Sequence, residues 1–83
     1  MKELRSISEY DTFGKVDIKV KEFMDKKGIN VYRMSKMADR KHQTVKAYYN
    51  NEPLARVDLE VVSKLCYVLD CKIEDILVYN PPK

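Results

Sequence analysis

The side chains best suited to chemistry stand close together: His42, Gln43, Lys46 and Ala47 on one helical pattern, with Lys41 just before it. Val45 is the apolar position of that pattern, so the others fall on its polar flank. Gln43 can pair bidentately with adenine, and His42 can donate or accept at a base edge. Lys46 can reach guanine or a phosphate, and Ala47 permits close approach to a thymine methyl. Groups suited to phosphate oxygens surround them: Arg33, Lys36 and Lys41, the helix amide at Asn30, and the side chains of Asn50 and Asn51. These residue types fit the non-covalent reading of a polyanion.

The charge distribution agrees. Residues 26–46 hold Lys26, Lys27, Arg33, Lys36, Arg40, Lys41 and Lys46 against one acid, Asp39, a net +6. Residues 1–25 carry −1 and residues 47–83 carry −2, so the excess is local. Concentrated positive charge on two short helices suits a nucleic acid, although a charge run alone is also what a solvated face looks like.

Catalysis and metal binding find little to build on. His42 is the single histidine, without a carboxylate, Cys or second His at ligand spacing. No nucleophile and base can be assembled around it. Gly14 and Gly28 are the only glycines, too few for a phosphate-cradling loop. Cys66 and Cys71, if on one helix, stand about 140° apart. Their apolar neighbours make them buried, reduced thiols rather than zinc ligands or a disulfide. We therefore expect no enzyme activity, metal, cofactor or small-molecule ligand.

The positioning elements follow from length and pattern. A chain of 83 residues supports one small core. It has no apolar run near the ~20 residues of a membrane span and no leader pattern, so a cytoplasmic protein is expected. Residues 1–15 read as an arm, 16–80 as the domain and 81–83 as a tail. Lys15 to Ile18 alternates like a short strand, leading into a helix from about Lys19 to Lys27 that Gly28 stops. Asn30 caps a second helix with Val31, Met34 and Met37 on one face. A third helix runs from about His42 to Asn50, with Val45 and either Tyr48 or Tyr49 inward, and residues Asn50 to Pro53 end it. Asp58 caps a fourth, whose stripe is Leu59, Val62, Leu65, Cys66 and Leu69. A last turn or two from Ile73 to Val78 turns Ile76 and Leu77 inward before Pro81-Pro82. Met24, Met34 and Met37 are read as core filling.

Residues Gly28 to Tyr79 resemble the Cro and phage-repressor type of helix-turn-helix domain, the XRE-like regulators. The likeness is carried by Met34-Ser35, Thr44-Val45, Ala47 to Asn51, Val57-Asp58-Leu59, Leu65-Cys66, Leu69-Asp70-Cys71 and Glu74 to Tyr79. Three positions depart from the family pattern. Asp39 then Arg40 stand where Gly then Ile are usual, and Val31 replaces a Gln that often touches phosphate. The resemblance implies an all-α, five-helix, lambda-repressor-like DNA-binding domain with a short N-terminal arm and possible strand. It also implies a transcriptional regulator of double-stranded DNA, usually a homodimer.

The expected mode is insertion of the helix from about Lys41 to Asn50 into a major groove. The dimer surface would be the arm from Leu4 to Val20, pairing strands across a two-fold axis, or the end of the fifth helix around Val78 and Tyr79. The alternative, which Val31, Asp39 and Arg40 support, is a module of the same fold that engages a protein, such as an antitoxin, antirepressor or phage inhibitor of bacterial defence.

Overall fold

Gly14 lies against the far end of the chain: its φ is +81°, and a side chain there would collide with the Asn80 carbonyl. The computed structural model describes residues 4, 6, 7, 13–52, 54 and 56–82, so most of the arm, with Tyr10, Pro53 and Lys83, lies outside the described residues. From Gly14 the chain forms β1 (Lys15–Ile18), α1 (Val20–Lys27), α2 (Val31–Met37), α3 (His42–Tyr49), α4 (Leu59–Leu69), α5 (Ile73–Ile76) and β2 (Leu77–Asn80).

The strand expected from alternation at Lys15 to Ile18 is present, and its partner is in the same chain. β1 and β2 are antiparallel, with Val16 opposite Tyr79 and Ile18 opposite Leu77. This corrects the reading of Ile73 to Val78 as continuous helix. The Ile76-Leu77-Val78 run is apolar enough for either state, and Leu77 turns extended where β1 offers a ladder. The strand part of the first dimer surface expected from sequence therefore lies beside the second: Val16 and Tyr79 share a face and are 53% and 59% exposed, while residues 5 and 8–12 of that arm lie outside the described residues.

The core joins Ile18 of β1, Val20 and Met24 of α1, Met34 of α2 and Val45 and Tyr48 of α3 to Val61, Val62, Leu65 and Leu69 of α4 and Ile76 of α5. Of the other expected core members, Val31, Cys66 and Leu77 pack against it half-buried, and two are exposed. Met37 is 52% exposed because each step of three falls about 60° short of a turn, and Ala38 takes the inward seat instead. Leu59 is 72% exposed, and Val61 faces inward in its place. Asp58 caps α4 by accepting the Glu60 N–H at 2.8 Å, and Lys19 N–H donates to Ile76 O at 2.7 Å, tying the junction of β1 and α1 to α5.

Candidate nucleic-acid interface

The α2–α3 hairpin is built from its caps. Asn30 Oδ1 accepts the Arg33 N–H at 2.8 Å and starts α2. At its end Asp39 adopts φ +53°, its N–H donating to Lys36 O while Arg40 N–H donates to Ser35 O. The same paired closure ends α1 at Gly28-Ile29, α3 at Asn51-Glu52 and α4 at Asp70-Cys71. Asp39 thus occupies the left-handed position in place of glycine, which short polar side chains tolerate better than most. The turn is kept.

On α3, Val45 and Tyr48 are buried, and the Tyr48 hydroxyl accepts the Asp58 N–H at 3.1 Å. Lys41, His42, Gln43 and Lys46 are exposed, and Ala47 is half-buried beside them. The N-terminus of α3 differs from those of α2 and α4. Lys41 stands at its cap position without the side-chain bond that Asn30 and Asp58 make, and its first turn, like that of α2 but unlike that of α4, holds no acid. The first amides of α3 therefore point outward with the positive end of the helix dipole unneutralised.

The residues assigned to phosphate divide in two. Arg33, Lys36 and Lys41 are exposed, and Asn50 is exposed with only a long 3.4 Å bond to Glu52 Oε2. Asn30 is occupied as the α2 cap. Asn51 faces β1: its Oδ1 accepts the Ile18 N–H at 2.8 Å and its Nδ2 donates to Asp17 at 3.3 Å. Its amide thus braces the fold, a role that spacing alone does not reveal because Asp17 and Ile18 are remote in sequence. One aromatic was missed. Tyr32 is 60% exposed, and Lys36 Nζ sits 4.4 Å from its ring centroid, a contact that the i, i+4 spacing could have suggested.

Among the described residues, Arg40 is the one cation of the 26–46 window in an ion pair. Lys15, Lys19, Lys21 and Lys64, outside the window, all have carboxylate partners. The positive charge on the hairpin is left largely uncompensated, where it is available to a polyanion.

The other end of α3 is tied to α1. Tyr49 Oη donates to Asp25 Oδ1 at 2.9 Å, and Lys21 Nζ donates to Asp25 Oδ2 at 2.8 Å. These bonds, Lys21 first, hold the Asp25 carboxyl below its ordinary 3.8, while the same carboxylate raises Lys21 and Tyr49. Of the two tyrosines left open by sequence, Tyr48 is thus core and Tyr49 a surface brace.

The cysteines are half-buried, less enclosed than the sequence suggested, and unpaired. Burial, with Cys66 beside it, pushes the Cys71 thiol up to about 11, so it is protonated at neutral pH. Among the described residues no three His, Cys, Asp or Glu side chains gather as a metal site, and no helix is long and apolar enough to cross a membrane.

A family model for the Cro/C1-type helix-turn-helix DNA-binding domain matches residues 19–82. No curated protein matches the chain. Among solved structures it is similar to the crystal structure of the transcriptional regulator VanUg, form II, with a TM-score of 0.66. The two are 19% identical, and the likeness covers 93% of this chain and all of that one, a match of fold.

Proposed function

Because the chain belongs to the Cro/C1-type helix-turn-helix DNA-binding family, we propose that it is a sequence-specific regulator of transcription that acts on double-stranded DNA in the cytoplasm. The observation that carries this reading is the outward face of the hairpin. Unpaired Arg33, Lys36, Lys41 and Lys46 surround an uncapped α3 N-terminus, with His42 and Gln43 exposed on its first turn. In this reading α3 enters the major groove, where His42, Gln43, Lys46 and Ala47 meet base edges. Arg33, Lys36, Lys41, the backbone at Asn30 and the side chain of Asn50 hold phosphates. Asn51 is left to brace β1.

The proposed active form is a homodimer on a palindromic site, its half-sites about 34 Å apart. The joined Val16 and Tyr79 face of the small sheet is the surface we assign to subunit contact, because it leaves the hairpin free. Tyr79→Lys should then halve the mass measured by light scattering, and an unchanged dimer would move the contact elsewhere.

The test of the whole reading is selection of bound fragments from a random duplex library, followed by titration of the enriched site against random DNA between 50 and 200 mM salt. A preferred site and a steep loss of affinity with salt are expected. Absence of any preferred duplex, with salt-insensitive binding to a protein, would favour the interaction-module alternative instead.

A further inference from the structure

Arg40 is both the paired cation of the hairpin and a clear departure from the family pattern. Its side chain is 29% exposed, the stem lying in the turn where an aliphatic residue would pack. The guanidinium emerges at the start of α4. Its Nη2 donates to Glu60 Oε1 at 2.5 Å, while its buried Nε has no partner. Glu60 is 65% exposed and also holds Lys64 at 3.4 Å. Arg40 further lines an open depression with Ser35, Lys36, Asp39 and Lys41, which sets it beside two of the proposed phosphate contacts.

An aliphatic side chain would fill the same seat without bringing a charge to it. The ion pair with Glu60 is solvent-exposed and so contributes little net free energy. A phosphate offers the same paired oxygens to a guanidinium, with more charge. We propose that Arg40 is a further phosphate ligand of the DNA interface, held by Glu60 in the free protein and handed from that carboxylate to the DNA backbone on binding. The proposal rests on the DNA-binding reading above. Glu60 then acts as an internal competitor that lowers affinity for every duplex, independent of base sequence.

The test compares Glu60→Gln, Arg40→Met and the double variant, each titrated on the preferred site and on random DNA at several salt concentrations. Methionine keeps the buried stem and removes the charge. Glu60→Gln should bind both duplexes about two- to fivefold tighter, with the salt slope steeper by about one unit. Both changes should vanish in the Arg40→Met background. An equal gain in that background would overturn the proposal, since Glu60 would then merely repel DNA. So would no gain in Glu60→Gln while the wild type binds. The Arg40 side-chain N–H resonance in the unmutated protein is a reading free of folding effects. It should shift on addition of duplex, and a resonance that stays put while backbone amides of α3 move would also overturn the transfer. Failure of the wild type to bind any duplex would instead remove the reading of the interface itself.

Discussion

The start of α3 and the start of α4 are built in opposite ways. Asp58 caps α4 with a side-chain bond, Glu60 places an acid in its first turn, and Lys64 and Arg40 converge on that acid. Lys41 gives α3 no side-chain cap, its first turn holds no acid, and the nearby cations except Arg40 are unpaired. Each arrangement has a thermodynamic sense. A cap contributes about 1 kcal/mol to a helix, and an acid near its amides a few tenths more, so α4 is finished for stability. The polar groups of α3 are left open, at some cost to the free domain, and the DNA proposed as its partner would bring them negative charge.

Several measurements would sharpen or break this contrast. The largest effect belongs to the α4 side: Leu65→Ala removes a fully buried side chain facing the centre of the core and should cost about 2–5 kcal/mol of stability, read from urea midpoints. A small loss would mean that α4 is not the spine. On the α3 side the order reverses. Gln43→Ala should lower affinity for the preferred site by about 1–3 kcal/mol and relax preference at one base pair. Its folding stability should stay within about 0.5 kcal/mol of wild type. A comparable loss of stability would show that Gln43 serves the fold.

Lys36→Ala should weaken binding to all duplexes alike and flatten the salt slope by about one unit, again with little change in unfolding. A loss confined to one sequence would make Lys36 a base contact. The smallest effect is expected at the other end of α3. Asp25 binds its proton less tightly in the folded chain than in the unfolded chain, so the stability it contributes is present above its ordinary pKa. That contribution is lost as pH falls through the lowered value, below about pH 4. Asp17, lowered by its bonds from Asn51 and then Lys15, acts in the same direction. Asp25→Asn should therefore remove part, and not all, of the acid sensitivity seen by circular dichroism. An unchanged acid transition would mean that the Tyr49 brace contributes nothing.

Much of this architecture is legible in the sequence because helix ends are chemically marked. Gly28, Asn30 and Asp58 each sit at the boundary that their local preferences suggest, and the left-handed closure at Asp39 is within the reach of a short polar residue. The exposed polar flank of α3 follows equally from the burial of Val45, which the helical period fixes. Two apolar residues misled the reading. Met37 and Leu59 keep a spacing of three from true core positions, and the drift of that spacing around the helix carries them to the surface.

The sequence by itself determined where α1 to α4 begin, where α1 and α3 end, which side of α3 is polar, and that the positive charge lies on α2 and α3. These are consequences of short-range geometry and composition. Tertiary structure alone decided that Leu77 to Asn80 is a strand, that Asn51 serves β1, that Tyr48 rather than Tyr49 is core, and that Arg40 meets Glu60. Each of those outcomes depends on a partner far along the chain. Before the chain folds, no local preference distinguishes an unpaired amide or guanidinium from one with a partner waiting.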